Sequence, residues 1–163
     1  MKKYILLIIS FASVFNLSAQ CPENGNYWNK SWVSCTTSPN PNPDRGDTHW
    51  ILYEFQEPHF IDSSHVWNAN RSGESGWGAK EVVIDYSTED SDWIELGQYE
   101  WDQAPESDDY EGFGGPGFDS AAVTKILITI LSTHDGGNCA SLAELQFKID
   151  TAGCIGIIDE CGV

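Results

Sequence analysis

The sequence predicts an all-β protein, an antiparallel β-sandwich of the jelly-roll kind. After the first twenty residues, no stretch of 11 or more residues keeps the apolar i, i+3, i+4, i+7 spacing of an amphipathic helix without an interruption. Instead, short runs of branched and aromatic residues alternate with polar ones. Turn-rich loops separate these runs. The three observations together are typical of a sandwich or jelly roll.

Two of the predicted strands are the most informative. His49–Phe55 and Ser141–Phe147 are both short, alternating and rich in aromatic or branched residues. Each carries one carboxylate, Glu54 in the first and Glu144 in the second, where a half-buried strand would not ordinarily hold one. In chain order, the predicted strands are 49–56, 60–67, 79–87, 92–96, 98–102, 122–131 and 140–149.

Polar loops join these strands. The 36–48 segment holds three prolines among asparagine and serine, and we expect it to be extended and exposed. The 68–78 segment is polar with three glycines and a tryptophan, and the 103–119 segment is first acidic and then glycine-rich. Residues 88–92 are predicted to form a tight turn between two neighbouring strands.

Residues 1–20 are predicted to be a secretory signal peptide and not part of the fold. Two lysines precede an apolar run over 4–15, and mostly small residues follow at 18–20. This pattern is typical of a cleaved signal and is too short for a membrane span. Cys21 leaves open an acylated lipoprotein, although Gln20 is not the small residue such a site prefers. We expect the protein to be secreted or held at the cell surface.

The rest of the chain divides into one domain and a short tail. Residues 21–150 suffice for one β-sandwich with a sizeable core. Residues 151–163 are too short for a domain and resemble the opening of the cysteine-rich linker repeats that join modules in large bacterial surface proteins. The sequence therefore fits a small complete protein and also the front part of a longer one with further modules.

The chain is strongly acidic, with a formal net charge of −17 at pH 7. Nucleic acids and anionic membranes are disfavoured as partners, because phosphate binding needs a basic footprint. We expect no nucleic-acid binding and no membrane insertion. The acidic surface is explained either by solubility outside a cell or by carboxylates that hold calcium, which prefers hard oxygen ligands.

Five cysteines in a secreted chain predict two disulfides and one cysteine left over. The sequence contains no C-x-x-C pair, and its histidines show no zinc-ligand spacing with the cysteines. Disulfides are therefore favoured over a metal site or a catalytic thiol, although spacing alone does not reveal which cysteines pair.

Four motifs follow one another along the chain: Trp32-Val33-Ser34, Trp50-Ile51 with Glu54-Phe55, Val82/Ile84/Tyr86/Ser87 with Trp93, and Leu142-Ala143-Glu144-Leu145. In this order they resemble the discoidin, or coagulation factor type C, domain of the galactose-binding-like superfamily and the related carbohydrate-binding modules of bacterial secreted proteins. The resemblance extends over about residues 24–149. One departure is Glu89-Asp90, which replaces the Asp-Gly turn of that family.

The resemblance implies a non-catalytic module that binds carbohydrate or a cell-surface ligand through loops at one end of the sandwich. Tryptophan can stack on a sugar ring, asparagine can donate and accept, and arginine presents a planar fork. Trp67 has the alternative of packing in the core. Asn138, in the Asp135-Gly-Gly-Asn138 segment before the last strand, is a candidate for a second wall of the site, although turn formation is the favoured explanation of that segment. The predicted ligand-binding residues are Trp67, Asn68, Asn70, Arg71, Trp77 and Asn138.

The resemblance also implies a structural calcium ion with Glu144 as one ligand. A carboxylate at the end of a buried strand is costly unless a cation or a hydrogen-bond donor satisfies it. Two partner sets remain open, Asn24 with Asn26 and Asp44 with Asp47. Without calcium, Glu144 would accept backbone hydrogen bonds or pair with a lysine.

The family geometry implies a Cys35–Cys139 disulfide, because these cysteines flank the first motif and the last strand. It also suggests that Cys21 pairs with Cys154 or Cys161, which would leave one cysteine unpaired.

Three functional hypotheses follow. The first is carbohydrate or cell-surface binding, and the second is protein binding by an adhesion module of a larger surface protein. The third is a glycan-active enzyme that uses clustered carboxylates such as Glu106, Asp108 and Asp109. It is the weakest, because acids clustered in a loop usually form a solvated, repelling run. We expect the protein not to be an enzyme.

Overall fold

The computed structural model describes residues 31–88, 92–118 and 121–149. Within these ranges the chain forms β-strands and two 3-10 turns, at Pro43–Arg45 and Ser75–Trp77, and no α-helix. The all-β prediction is confirmed. Neither turn has the length or apolar character that a membrane-spanning helix needs. The strands are β1 (Trp32–Ser34), β2 (Ser38–Pro39), β3 (Asp47–Asn68), β4 (Ala79–Ser87), β5 (Ile94–Glu100), β6 (Phe113–Gly115), β7 (Ala122–Thr133) and β8 (Ala140–Ile149).

Strand β3 belongs to both sheets of the sandwich. Its first part, 49–60, pairs with β7, and its last part, 61–68, pairs with β8. The register breaks between Glu54 and His59, where Pro58 has no N–H to donate to a ladder. Both predicted segments, 49–56 and 60–67, are in strand conformation and the ladder breaks between them, but they form one bent strand that passes from one sheet into the other and not two separate strands.

The two sheets are antiparallel throughout. One has the order β2-β3-β7-β4-β5, and the other has the order β1-β8-β3-β6. The predicted strands 79–87 and 140–149 are confirmed, and the predicted strand 122–131 extends to Thr133. The predicted strands 92–96 and 98–102 were wrong, because Gly97 stays in the ladder opposite Ile84 and continues one strand, β5.

The core lies between the two sheets. Ile126 and Ile128 of β7 face Val66 and Leu142 of the other sheet, and all four are at most 2% exposed. Phe147 of β8 reaches across to Tyr53, with the two ring centroids 5.2 Å apart in an edge-on arrangement. Burial of these side chains supplies the main favourable term in folding.

A strap, defined as residues 36–46, covers the outer face of the first sheet. It contacts Thr129, which is fully buried although it points away from the main core. Asn40 of the strap donates from Nδ2 to Thr129 Oγ1 at 2.9 Å, and Trp93 donates from Nε1 to the Pro41 carbonyl at 3.0 Å. The prediction of an extended, exposed loop is confirmed for most of this segment, but Asn40 and Asn42 are buried, at 8% and 7% exposed.

An ion pair holds the end of the strap. Arg45 donates from Nε and Nη2 to the two carboxylate oxygens of Asp85 at 3.0 and 2.7 Å, and also from Nη2 to Glu95 at 2.7 Å. The side chain of Asp85 is 1% exposed, whereas that of Glu95 is 54% exposed. The hydrogen bonds to Asp85 raise the pKa of Arg45 above its ordinary value. A buried carboxylate needs such a partner.

A disulfide joins Cys35 to Cys139 across 104 residues of sequence, which confirms the predicted pair. The other predictions about the ends of the chain lie outside the described residues. These are the signal peptide 1–20, the pairing of Cys21 with Cys154 or Cys161, and the tail 151–163.

The first prediction concerns the strap. Arg45→Ala leaves the buried Asp85 carboxylate without its partner and should lower the free energy of unfolding by about 3 kcal/mol. Arg71→Ala is the matched control, because that arginine is 54% exposed in its pair with Glu74 and should cost less than about 1 kcal/mol. Urea denaturation of both variants measures the difference. Equal losses of stability in the two variants would contradict a stabilising role for the buried Arg45–Asp85 ion pair.

The second prediction concerns the disulfide. Replacing Cys35 and Cys139 together by serine should lower the free energy of unfolding by about 2–5 kcal/mol, because the unfolded chain regains the entropy that a long closed loop removes. Denaturation without reductant measures this, and the paired substitution leaves no new free thiol. An unchanged denaturation midpoint would show that the crosslink does not stabilise the fold.

Candidate functional site

Three loops meet at one end of the sandwich. The 69–78 loop joins β3 to β4, the 101–112 loop joins β5 to β6, and the 134–139 loop joins β7 to β8. The strand registers place the ends of β3, β5 and β7 at this end and Ile149 at the other. We call this the loop end of the molecule.

Asn68 connects two of these loops from inside. Its side chain is 0% exposed, and Nδ2 donates to the carbonyls of Ala79 at 2.7 Å and Asp102 at 2.9 Å. Gly78 packs so closely on Asn68 that a Cβ there would lie 2.8 Å from Oδ1. The predicted contact between Asn68 and a ligand is thus replaced by a bracing role, because no exposed atom is left to offer.

Asn70 makes a second brace. Its Nδ2 donates to the Ser107 carbonyl at 2.7 Å, and Oδ1 accepts from the Ser107 amide at 3.2 Å. The residue is 4% exposed. Both hydrogen-bonding groups of the Asn70 amide are therefore engaged by one peptide unit of the 101–112 loop. As with Asn68, the predicted ligand contact gives way to a structural role.

Glu106 closes the contact between the same two loops from the solvent side. Ser75 Oγ donates to Glu106 Oε1 at 2.7 Å, and Gln103 Nε2 donates to Ser75 Oγ at 3.0 Å. The hydrogen bond from Ser75, and then that from the Gly73 backbone, lower the pKa of Glu106. Glu106 adopts φ of 57°, a strained value for a residue other than glycine. Its carboxylate holds the loops together.

Arg71 and Trp77 are the predicted ligand residues that this framework presents. The side chain of Arg71 is 54% exposed, and its Nη1 lies 3.1 Å from Glu74 Oε2. Trp77 ends the 3-10 turn and is half-buried, with its amide donating to the Glu74 carbonyl at 3.0 Å. The structure brings both side chains to one braced loop, where their contact with a ligand stays a prediction.

Trp67 lies elsewhere. It is on β3, half-buried and outside the main core, and its ring centroid is 4.2 Å from that of His65. Its partner across the ladder is Glu144 of β8. Trp67 thus belongs to the outer face of the second sheet and not to the 69–78 loop.

Asn138 also lies in different surroundings from Arg71 and Trp77. It is exposed on the 134–139 loop, where it lines a groove with Cys35 and Thr48. The Asp135 amide donates to the Gly76 carbonyl at 2.9 Å, so this loop contacts the 69–78 loop. The six predicted ligand residues are therefore divided among two buried braces, one loop surface, one sheet face and one groove.

Glu144 has a side-chain donor near it, not a set of ligands. Gln146 Nε2 donates to Glu144 Oε1 at 2.6 Å. In the described part of the chain, no three histidine, cysteine or acidic side chains come together as a metal site would require. Asn24 and Asn26, one proposed set of partners, lie outside the described residues.

The second calcium set does not fit a cation site. Asp44 and Asp47 are exposed residues on either side of Arg45-Gly46. The cation in this segment is the Arg45 guanidinium, which binds Asp85. The arrangement of Asp44 and Asp47 around Arg45 therefore does not support a calcium site there.

The third prediction follows from the hydrogen bonds that the Glu106 carboxylate accepts from the 69–78 loop. Because the pKa of Glu106 is lowered in the folded state, its stabilising effect is present above the carboxyl's ordinary pKa and is lost as pH falls through the lowered value. The Gly73 and Ser75 amides should therefore lose protection from hydrogen exchange as the pH is lowered from about 6 to about 3, the range in which carboxyl groups titrate.

Glu106→Gln should show reduced protection of these amides at neutral pH and little further change on acidification. Asp108→Asn, an exposed substitution in the same loop, is the control and should behave as the wild type. If hydrogen-exchange protection depends on pH in the same way in the Glu106 variant and in the wild type, the Glu106 carboxylate does not hold the two loops together.

No family model and no curated protein sequence matches the chain. Solved structures do match. CBM32-3, from a family 31 glycoside hydrolase of Clostridium perfringens, has a TM-score of 0.54 at 18% identity and covers 76% of this chain and 77% of its own.

Two further structures agree. An F5/8 type C domain from Bacteroides fragilis has a TM-score of 0.52 at 15% identity, with 72% of this chain and 71% of that chain covered. CpGH89CBM32-5 from Clostridium perfringens has a TM-score of 0.51 at 18% identity, with coverage of 74% and 76%. The chain therefore shares the discoidin-like β-sandwich fold of F5/8 type C domains and family 32 carbohydrate-binding modules.

Proposed function

We propose that the protein is a secreted, non-catalytic module that binds carbohydrate through the loop end of its sandwich. The observation that carries the proposal is the bracing of the 69–78 loop by the buried amides of Asn68 and Asn70. Ordering a flexible loop on binding costs affinity, so a loop held in advance by internal hydrogen bonds is suited to recognition. The side chains that this loop presents are Arg71 and Trp77.

The chemistry of these two side chains suits a sugar. The face of an indole ring can pack on the C–H groups of a pyranose, and a guanidinium fork can donate to neighbouring hydroxyls. Glu74, 3.1 Å from Arg71, orients the guanidinium and adds acceptors. CpGH89CBM32-5, which shares the fold, was solved in complex with GalNAc-β-1,3-galactose. This supports a glycan as the partner.

The acidic loop supports a non-catalytic role. Glycoside hydrolysis needs one carboxyl group as acid and a second as base or nucleophile. Glu106 accepts hydrogen bonds from Ser75 and from the Gly73 backbone. Its carboxylate is thereby committed to holding two loops together, which argues against its use as an acid.

We infer a location outside the cytoplasm or on the cell surface from two features. The first twenty residues have the composition of a signal peptide, and the Cys35–Cys139 disulfide suits an oxidising compartment. A cell-surface ligand and linkage to other modules of a longer protein are consistent with this location.

The fourth prediction tests sugar binding at the loop surface. On a glycan array the wild type should bind, and the combined variant Arg71→Ala with Trp77→Ala should lose most of the signal. Removal of a stacking ring and a charged donor should weaken binding by at least about tenfold. Lys125→Ala with Phe60→Ala is the matched control, because it also removes one cation and one exposed aromatic ring, far from the loops.

Absence of any glycan signal for the wild type would reject the proposal. In that case a protein-binding adhesion module becomes the better hypothesis, since one fold can serve either function. Pull-down of a defined surface protein that is lost in the Arg71 and Trp77 variant would support that alternative.

Calcium remains a prediction from sequence, through Glu144 with Asn24 and Asn26. If this set binds the ion, the melting temperature should fall when a chelator is added, and Glu144→Gln should remove that dependence. Gln146→Ala is the control, because it removes the donor to Glu144 and keeps the carboxylate. A melting temperature that does not respond to chelator would exclude the site.

A further inference from the structure

A groove of about 440 Å³ lies beside the disulfide at the loop end. Its volume falls in the range of small-ligand sites, about 300–1,000 Å³. The groove opens between the start of the strap and the 134–139 loop, over the adjacent strands β3 and β7. Hydrogen-bonding side chains make up much of its lining: Thr36, Thr37, Asp47, Thr48, His49 and Asn138.

We propose that this groove is a second carbohydrate site, selective for neutral over acidic sugars. It is distinct from the surface around Arg71 and Trp77. The inference rests on the proposed function, because it assigns the same class of ligand to a different place on the module.

The walls of the groove are held in place from both sides. Cys35 continues into Thr36, and Cys139 follows Asn138, so the Cys35–Cys139 disulfide links the two walls covalently. On the Asn138 side, Asp135 Oδ1 accepts from the Gly137 amide at 2.8 Å and from Thr133 Oγ1 at 3.1 Å. These bonds order the turn that carries Asn138. A site built this way loses little conformational freedom when a ligand enters.

The polar groups of the groove are oriented by neighbours. Thr48 Oγ1 accepts from Asn40 Nδ2 at 2.9 Å, and a hydroxyl that accepts can also donate. His49 Nδ1 lies 3.0 Å from Ser34 Oγ, which fixes the plane of the imidazole ring. A sugar hydroxyl both donates and accepts, and therefore matches a lining that offers hydroxyl, amide, imidazole and carboxylate groups together.

Leu131 gives the groove an apolar surface. It lines the groove and is 45% exposed, whereas its neighbour Ile130, also in the lining, is 3% exposed and belongs to the core. Small-ligand sites typically combine an apolar surface with a few placed polar groups. The C–H groups of a sugar ring can pack on Leu131 while its hydroxyls face the polar walls.

Charge distinguishes the classes of sugar. Among the lining residues, Asp47 is the only acid, and none is lysine or arginine. The whole chain has a formal net charge of −17. A carboxylated sugar would bring its negative charge close to Asp47 with no cation in the lining to offset it, which is unfavourable. Arg71, by contrast, offers a cation at the other surface.

The test compares three probes on four proteins. The probes are galactose, N-acetylgalactosamine and glucuronic acid, titrated while amide NMR signals are followed. The proteins are the wild type, the groove variant Asp47→Ala with Asn138→Ala, the loop variant Arg71→Ala with Trp77→Ala, and the single variant Asp47→Asn.

In the wild type, a neutral sugar should shift the amide signals of Thr36, Thr48 and Asn138. The groove variant should weaken this response by about tenfold or more, because two hydrogen-bonding side chains are lost. The loop variant should leave it within about twofold of the wild type. Glucuronic acid should shift these signals at least about tenfold more weakly in the wild type, and Asp47→Asn should recover most of that loss. Unchanged dispersion of the remaining amide signals shows that each variant is folded.

Three outcomes would contradict the proposed second site or its selectivity. If the loop variant abolishes all sugar response, the module binds carbohydrate only through Arg71 and Trp77, so the proposed function stands and the second site does not. If glucuronic acid binds the groove as well as galactose, the selectivity is wrong. If no sugar shifts any signal of the wild type, both the second site and the proposed function fail.

Discussion

The fold depends on one long strand being shared by two sheets. β3 pairs with β7 along its first part and with β8 along its last part. A strand can leave one sheet for another only where its ladder is interrupted, and Pro58 lies within that interruption. The bend brings Asp47 and Asn68, the two ends of β3, back to the same end of the sandwich. The groove and the braced loops both follow from that return.

A second constraint is that buried polar groups must be satisfied. Asp85, Asn68 and Asn70 are each at most 4% exposed, and each has partners from a loop or the strap. An unpaired group at any of these positions would cost free energy comparable to a lost hydrogen bond or more. The same partners that meet this cost fix the path of the irregular segments. The surfaces proposed for recognition are therefore shaped from the inside of the molecule.

How well the sequence predicted each part of this structure depends on whether the interacting residues are close together or far apart along the chain. Alternation along 79–87 and 140–149 is a local signal, and both strands have the predicted bounds. The Cys35–Cys139 pair was predicted through a family resemblance and not from spacing. The contact of the strap with the sheet was missed, because the signal for it is Asp85, an acid inside an apolar strand some forty residues away. A lone acid in such a strand indicates a basic partner but not which one.

The site was predicted in part, for similar physical reasons. Arg71 and Trp77 were assigned to one loop, and they do share it. Asn68 and Asn70 were assigned to the ligand because an amide serves equally well as a recognition group and as a brace. Only the three-dimensional neighbours, Asp102 and Ser107, decide between these uses. The composition of the 103–119 loop also did not reveal the role of Glu106, because this residue is one acid among many in that loop.

The location of Ile149 has a practical consequence for experiments on surfaces. This residue pairs with Ile61 at the end of the sandwich opposite the loops, about 23 Å away along the strands. A biotin or a fluorescent protein attached there would leave both of the proposed recognition surfaces open to solution. Coupling through lysine would be less uniform, because Lys80 and Lys125 lie on different strands. Attachment through the carboxyl side of β8 therefore gives a display geometry in which every immobilised copy faces outward.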